Sequence, residues 1–285
     1  MLSITAVVPT CERPDFLRRA LQSIVAQECA PSDIVVVDDG GHEAATRAAV
    51  QEWGFGSVHV AANSHAKGPS GARNTGAEIA RGEFLAFLDD DDEWLPSYLF
   101  EALSHFEKND LDVLCADSLC RFEDEVDRPA KTAPDKLLTE LFLTRNPGLG
   151  GSNLIIRKST YHAIGGFDES FQAVEDMDFG LRLSLRGDVR YERLPKRLVR
   201  FHQHRGPKLG TAAGNAMRQG IRRFYQLHAY CMSAAQREEF RNNVHRFWSV
   251  DEYGNTLKLV TKTYADSLLA TLKAWLDQQR VGFRN

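Results

Sequence analysis

The feature that most constrains the fold of this chain is a short apolar segment that ends in acidic residues and recurs along its first third. Residues 34–37 are apolar without alternation and lead into Asp38 and Asp39, and residues 84–88 lead into four consecutive aspartates at 89–92. An uninterrupted apolar run of this length predicts a strand that is buried on both faces of a sheet. The acidic residues then follow the carboxyl ends of two strands.

Strand and helix patterns alternate through this part of the chain. The predicted helices cover residues 16–25, 43–53 and 75–81, and the further predicted strands cover residues 4–9 and 58–61. Residues 68–74 contain two glycines and predict a loop that leads into the third helix. Such alternation predicts an α/β fold whose mostly parallel, Rossmann-like sheet carries helices on both faces.

The carboxyl ends of these strands are the candidate site, because open α/β sheets bind ligands at that edge. Four adjacent carboxylates repel one another unless a cation or water offsets their charge. Oxygen ligands suit manganese or magnesium better than zinc. The alternative explanation is a solvated acidic turn followed by a helix that Asp92 caps. Residues 10–14 contain no glycine, which excludes a dinucleotide-binding loop after the first strand.

Charge and hydropathy exclude several classes of partner. The 285 residues include 35 Lys and Arg and 39 Asp and Glu, so the formal net charge is -4 and we expect no nucleic acid partner. The apolar runs are far shorter than the roughly 20 residues that span a bilayer, and residues 1–9 lack a signal-peptide pattern, so we expect a cytoplasmic protein. The five cysteines form no C-x-x-C pair, which predicts reduced thiols.

Several motifs resemble glycosyltransferase family 2 in their order and spacing. In the first half they are VVPT at residues 7–10, VVDDG at 36–40, GARNTG at 71–76 and FLDDDD at 87–92. In the second half they are LGGSNLIIRK at residues 149–158, GGFDE at 165–169 and EDMD at 175–178. The resemblance covers residues 4–205. It implies a GT-A domain over residues 1–210, with a nucleotide-binding half (1–95) and an acceptor half (96–210), followed by a helical extension (211–285).

This resemblance implies an inverting, metal-dependent enzyme. It would move a sugar from a nucleotide-sugar donor, taken as a UDP-sugar, to a saccharide, lipid-linked or other hydroxyl acceptor in polysaccharide or glycoconjugate synthesis. Asp176 would be the general base, and Asp91 and His204 would hold manganese or magnesium. The residues implied to bind the nucleotide-sugar are Thr10, Glu12, Arg13, Asp38, Arg73, Asp89, Asp90, Asn153, Asp168 and Glu175.

Purely structural explanations compete with these roles. The acids at 175–178 also suit the positive N-terminus of a helix, and those at 38–39 also suit a turn before Gly40. Asp168 could instead only cap the turn after residues 165–167, although a site role is favoured. His202 and His204 also suit the polar face of a strand, since they alternate with apolar residues; of the two, His204 matches the family better.

The segments outside these motifs are less specific. Residues 121–136 are rich in charge and predict a surface loop on the acceptor side. From residue 211 the pattern is helical, and helices of this kind complete a core or pair subunits into a homo-oligomer. The last of them, residues 266–280, is amphipathic and suits peripheral contact with the inner face of a membrane, although Asp266 and Asp277 weaken that interpretation.

Two other functions compete with glycosyl transfer. Phosphoryl or nucleotidyl transfer at the acidic run would explain a metal but not the EDMD and GGFDE segments. A non-catalytic, nucleotide-binding partner subunit would have no need of Asp176. Since all the acids that the resemblance requires are present, the sequence favours the transferase.

Overall fold

The computed structural model describes residues 2–122, 124–130, 132–202 and 214–244. A nine-stranded sheet runs through these residues. Its parallel part has the order β3-β2-β1-β4. These strands are β1 (Ile4–Thr10), β2 (Asp33–Asp38), β3 (His59–Ala62) and β4 (Phe84–Phe87). The helices between them are α1 (Pro14–Val25), α2 (Glu43–Glu52) and α3 (Pro69–Ile79).

The second half of the chain extends the sheet beyond β4 and introduces antiparallel pairs. The order continues with β8 (Leu154–Arg157), β6 (Val113–Arg121), β9 (Tyr191–His202) and β5 (Glu93–Trp94), while β7 (Asp127–Pro129) pairs with β6. Of these pairs, β6 and β9 run parallel. The helices are α4 (Tyr98–Lys108), α5 (Thr139–Thr144), α6 (Lys158–Ala163) and α7 (Glu175–Arg186), with a 3-10 turn at Gly151–Asn153.

Both faces of the parallel strands are buried, as their unbroken apolar sequences predict. All seven residues of β1 and all four of β4 are buried. Because successive side chains point to opposite faces, Val7 and Phe87 pack in one cluster while Val8 and Leu88 pack in the other. The α/β fold class is therefore confirmed.

Strand register places the loops after β1, β2 and β4 at one edge of the sheet. Thr10 lies opposite Asp38, and Val7 lies opposite Phe87. The backbone N–H of Leu88 donates to the carbonyl of Val7, so the acidic run leaves the sheet beside the loop that follows Thr10. The predicted convergence of these segments is thus a property of the fold.

The prediction of a loop over residues 68–74 is wrong, because α3 already begins at Pro69. Proline suits a first helical turn, and Gly71, one of the two glycines that suggested a loop, serves close packing instead. A Cβ at Gly71 would overlap the carbonyl oxygen of Ala66, and one at Gly76 would overlap the side chain of Val7.

Two other local predictions need correction. Asp92 does not cap the helix that follows it: its side chain is buried, and Ser97 precedes α4. The segment at 121–136 is not entirely a loop, since β7 forms a hairpin with β6. Most of the described residues beyond that hairpin, up to residue 136, have no regular structure.

The described part of the C-terminal segment completes the core. It comprises α8 (Gly214–His228), a 3-10 turn at Ala229–Cys231 and α9 (Ala234–Val244). Phe224, Tyr225 and Phe240 join the cluster that contains Phe87. Among the described residues, no helix is both long and apolar enough to cross a bilayer. The predicted helix at 266–280 lies outside the described residues, and the boundary at 210 and the pairing of subunits remain predictions.

Candidate active site

A cavity of about 860 Å³ opens at the carboxyl ends of β1, β2 and β4. Its walls are residues 9–13 at and beyond the end of β1, Asp39 after β2, the start of α3 and part of the acidic run. Residues 172–175, before and at the start of α7, form the opposite wall. His202 of β9 and Met217 of α8 also line it.

The predicted site residues divide into three groups in relation to this cavity. Those that line it are Thr10, Glu12, Arg13, Arg73, Asp89, Asp91 and Glu175. Those that do not line it are Asp38, Asp90, Asn153, Asp168 and Asp176. His204 lies outside the described residues.

The four aspartates of the acidic run differ in their access to the cavity. Asp89, Asp91 and the largely buried Asp92 line it, whereas Asp90 does not. Asp90 is completely buried, where it accepts a hydrogen bond from Thr10 Oγ1 at 2.7 Å and pairs with Arg13. Burial raises the pKa of Asp90 to about 7, although Arg13 opposes the shift. Asp90 therefore orients Thr10 and Arg13, both of which line the cavity.

Asp92 is largely buried but also lines the cavity. It accepts a hydrogen bond from Ser152 Oγ at 2.7 Å and one from the His202 N–H at 3.3 Å. Burial raises its pKa well above the ordinary value, and the charges of Asp91 and Asp89 add to the shift. Ser152 Oγ also accepts the N–H of Asp89 at 3.1 Å. The sequence does not mark Ser152 as a site residue, because no local pattern shows that its hydroxyl will contact both Asp89 and Asp92.

Arg73 connects the acidic run with α7. Its guanidinium lies 2.6 Å from Asp89 Oδ1 and 3.1 Å from Glu175 Oε1, and its side chain is only 2% exposed. Gly151 packs against it, and the ring of Phe167 lies 5.0 Å from its central carbon. Burial would lower the pKa of Arg73, but Asp89, Asp176 and Glu175 together raise it. The group is therefore a permanent cation between carboxylates of the two halves.

Asp176 follows Glu175 in the first turn of α7. Its Oδ1 is buried with no hydrogen-bond partner among the described residues. Burial and the charge of Glu175 raise its pKa to about 8, against the opposing effects of Arg73 and the Gly151 N–H. A carboxyl with a pKa near neutrality and an unused oxygen can accept a proton, which gives Asp176 the properties of a general base.

The two acids after β2 have different partners. Asp38 is buried and accepts hydrogen bonds from the N–H groups of Gly40 and His42 and from Thr46 Oγ1, at 3.1, 2.8 and 2.6 Å. These are the contacts of a turn that leads into α2. Asp39 lines the cavity and accepts the Gly68 N–H at 2.9 Å. Sequence reasoning chose the first acid of the pair, whereas the second one faces the cavity.

Asn153 and Asp168 support loops next to the cavity. Asn153 is completely buried and donates to the carbonyls of Ala116 and Gly148 at 2.9 and 3.0 Å. Asp168 Oδ1 accepts the N–H of Ser170 at 2.8 Å, which is the turn-capping contact. A direct role in binding for either residue therefore remains a prediction.

His202 belongs to a charged network at the rim of the cavity. Its Nε2 lies 2.8 Å from Glu93 Oε2, to which Arg200 also donates at 2.9 Å. Burial would raise the pKa of Glu93, but these two hydrogen bonds outweigh it and hold the pKa at about 2. Glu93 is thus ionised at neutral pH and orients His202 towards the site.

The cavity's donor atoms fit a hard divalent cation. Asp89 and Asp91 offer carboxylate oxygens, which magnesium and manganese prefer. In the parts of the chain that the structure describes, no group of three or more His, Cys, Asp or Glu residues forms a ready-made metal site. A cation here would therefore take its remaining ligands from a bound diphosphate and from water.

Comparison with known proteins adds family and fold information. A sequence model described as "Glycosyl transferase family 2" matches residues 5–165. An uncharacterised glycosyltransferase of Haemophilus influenzae is 31% identical over 189 residues, which are 64% of this chain and 62% of that protein. The chain thus spans less than two thirds of that relative.

A named relative comes from Escherichia coli. It is the UDP-Glc:alpha-D-GlcNAc-diphosphoundecaprenol beta-1,3-glucosyltransferase WfgD, which is 26% identical over 185 residues, or 65% of this chain and 70% of that protein.

Among solved structures, S. aureus TarS 1-349 superposes with a TM-score of 0.61 and 21% identity, over 86% of this chain and 72% of that one. A second structure of that protein holds UDP-GlcNAc and superposes with the same TM-score. At this identity the likeness concerns the fold, and it confirms the GT-A architecture.

Proposed function

We propose, from the premise that this chain belongs to glycosyltransferase family 2, that it transfers a sugar from a UDP-sugar to an acceptor hydroxyl with inversion at the anomeric carbon. The observation that carries this proposal is the arrangement around Arg73. On one side lie Asp89 and the acidic run, and on the other lies the first turn of α7 with Asp176. Asp176 does not itself line the cavity, but its neighbour Glu175 does, so the proposed general base lies next to the site for the charged leaving group.

The donor would occupy the cavity at the carboxyl ends of the strands. A uracil ring can donate its N–H to a carboxylate, and we assign this contact to Asp39, which lines the cavity, while Asp38 holds the turn. Thr10 and Arg13 line the same cavity. The relatives support a uridine nucleotide, since WfgD is named for UDP-Glc and a TarS structure contains UDP-GlcNAc.

Asp89 and Asp91 would hold manganese or magnesium at the donor's diphosphate. The bound cation would neutralise part of the negative charge that develops on the departing uridine diphosphate. Arg13 and Arg73 keep these two carboxylates in place through ion pairs. His204, which is predicted to bind the metal, lies outside the described residues. His202 lines the cavity and is oriented by Glu93.

Transfer would be a single displacement. The acceptor oxygen bonds to the anomeric carbon as the bond from that carbon to the diphosphate oxygen breaks, and the hydroxyl proton passes to the carboxylate of Asp176. Attack from the face opposite the leaving group inverts the configuration. With a pKa of about 8, the Asp176 carboxyl is well matched to proton transfer near neutral pH.

The acceptor class that we propose is a saccharide carried on a lipid diphosphate. The name of WfgD specifies such an acceptor. Helix α8, whose Met217 lines the cavity, has no acidic residue and carries three arginines, of which Arg218 is exposed. Such a helix suits an anionic acceptor at the cytoplasmic face of a membrane. If so, Arg218→Ala raises KM for a lipid-diphosphate acceptor but not for a neutral glycoside, whereas Gln219→Ala changes neither.

Calorimetry with uridine diphosphate tests the donor site. We expect manganese-dependent binding in the wild type and its loss in Asp91→Ala, because that substitution removes a cation ligand. Turnover of UDP-glucose and UDP-GlcNAc, followed as release of uridine diphosphate, tests the chemistry. Pyrophosphate or phosphate as the product would favour nucleotidyl or phosphoryl transfer instead. Binding without turnover, unchanged by Asp176→Asn, would favour a non-catalytic partner subunit.

A further inference from the structure

We infer that α8 forms part of the active-site architecture and that Gly220 is a positioning residue for the first turn of α7, where Glu175 and Asp176 lie. The inference rests on the proposed function of Asp176. It concerns a helix beyond residue 165, where the match to the family model ends.

The first observation is the close approach of α8 to the backbone that precedes α7. Gly220 is buried in the middle of α8, and a Cβ at this position would overlap the carbonyl oxygen of Ala173. The same Cβ would lie 2.9 Å from the carbonyl carbon of Ala173 and 3.3 Å from Val174 Cγ2. Backbone cannot yield as a flexible side chain does, so only glycine permits this distance.

The second observation is the conformation of Val174. This residue immediately precedes α7 and has φ +71°, in the left-handed region. That region is costly for a β-branched side chain and persists only where neighbouring structure enforces it. The Val174 carbonyl accepts the N–H groups of Met177 and Asp178 at 3.1 and 3.3 Å. The backbone conformation of Val174 therefore sets the direction of the first turn of α7.

The third observation is that α8 holds this segment at both ends. Arg223 Nε donates to Ser170 Oγ at 3.0 Å, before Val174, and His228 Nε2 lies 2.8 Å from Asp178 Oδ1, after it. Gly220 approaches this segment at Ala173, between Ser170 and Asp178. Because Phe224 and Tyr225 anchor α8 in the core, the helix is a fixed surface against which the strained backbone rests. Displacement at Gly220 would therefore move Asp176.

Gly220→Ala tests this inference with one methyl group. Alanine is a better helix former than glycine, so helix propensity alone would favour the variant. We expect instead that kcat for the hydrolysis of UDP-glucose or UDP-GlcNAc, in which water takes the place of the acceptor hydroxyl and uridine diphosphate is released, falls about 10- to 100-fold. The affinity for uridine diphosphate should change less than about twofold, since the nucleotide contacts lie on other elements. The matched control is Gly56→Ala, where a Cβ meets nothing within 4 Å.

Amide hydrogen exchange gives a readout that does not depend on turnover. We expect exchange at the N–H groups of Met177 and Asp178 to rise about tenfold or more in Gly220→Ala and to be unchanged in Gly56→Ala. Val174→Gly, which removes both the left-handed penalty and the Cγ2 contact, should restore part of the lost kcat in the Gly220→Ala background. If Gly220→Ala does not fold, Val174→Gly alone replaces it and should itself lower kcat by loosening the turn.

The outcomes separate this inference from the proposed function. Normal kcat and normal exchange in Gly220→Ala, with activity lost in Asp176→Asn, would overturn the inference and leave the function standing. Full activity in Asp176→Asn would instead remove Asp176 as the base. If the wild type fails to bind or turn over any donor, the proposed function fails, and exchange at Met177 and Asp178 still decides whether Gly220 positions the turn.

Discussion

Ser152 holds Asp92 by a hydrogen bond of 2.7 Å from its hydroxyl, and the same oxygen accepts the backbone N–H of Asp89. One buried hydroxyl thus connects the first and last members of the acidic run. Ser152 itself is completely buried, in the 3-10 turn that precedes β8. The position of the acidic run at the cavity therefore depends on a residue from the other half of the chain.

Ser152→Ala should weaken the binding of uridine diphosphate in the presence of manganese, because the acidic run loses the hydroxyl that bonds to both Asp89 and Asp92. It should also lower the free energy of unfolding by about 1–3 kcal/mol, since Asp92 keeps its burial but loses a hydrogen-bond donor. Calorimetry and thermal unfolding measure the two effects. Ser57→Ala, at an exposed position, is the control. Unchanged affinity in Ser152→Ala would show that the hydrogen bonds of Ser152 do not position the metal ligands.

The rate of sugar transfer should rise with pH through the pKa of Asp176, which burial and Glu175 raise to about 8. Only the ionised carboxylate can accept the hydroxyl proton, so activity is low below this pKa and reaches a plateau above it. The measurement is kcat at saturating donor between about pH 6 and about pH 9. Asp176→Asn should lose both the activity and the slope. A wild-type profile that is flat across this range would contradict the assignment.

The raised pKa of Asp176 also affects stability, but in the opposite direction: activity should rise with pH, whereas this residue's contribution to stability should fall. Because the folded protein binds this proton more tightly than the unfolded chain does, the contribution of Asp176 to folding decreases as pH rises from the ordinary carboxyl range to about 8. Relative to the wild type, Asp176→Asn should therefore become more stable as pH rises over that interval, as measured by chemical denaturation.

Arg73→Lys should impair both stability and turnover. A lysine ammonium cannot reproduce the separate contacts of the buried guanidinium with Asp89 and Glu175, and it leaves at least one of these two carboxylates poorly compensated. Loss of a partner from a buried ion pair costs about 3–5 kcal/mol, and we expect a destabilisation up to that size. Thermal unfolding and uridine diphosphate release test it, with Arg81→Lys at an exposed position as the control. Equal stability of the two variants would contradict the bridging role.

Asp39→Asn and Asp38→Asn should have different effects. A charge-assisted hydrogen bond contributes about 1.5–3 kcal/mol, so Asp39→Asn should weaken uridine diphosphate binding about tenfold or more. Asp38→Asn should mainly lower the unfolding temperature, because its carboxylate holds Gly40, His42 and Thr46. Calorimetry and thermal unfolding of both variants separate the two roles. The opposite pattern, with binding lost only in Asp38→Asn, would restore the sequence-based assignment.

Much of the fold could be predicted because its signals are local. Strands buried on both faces need unbroken apolar runs, and β1, β2 and β4 lie within a residue of where their sequences place them. The start of α3 could not be predicted, because glycine usually indicates a loop. Here Gly71 and Gly76 are needed for close packing against Ala66 and Val7, and only the folded structure shows those contacts. The pairing of β5 with β9 joins residues over 100 positions apart, and no local pattern encodes it.

For the candidate site, the sequence by itself determined which segments meet, because parallel strands deliver their carboxyl ends to one edge of the sheet. It thereby placed the acidic run, Thr10 and the acids after β2 at the cavity. Only the tertiary structure decided which side chains reach the cavity: Asp90 and Asp38 are turned into the protein, whereas Asp39 lines the cavity. It also brought Ser152, Arg73 and Gly220 into their contacts. Those contacts depend on packing between segments far apart in the chain, which no local sequence pattern encodes.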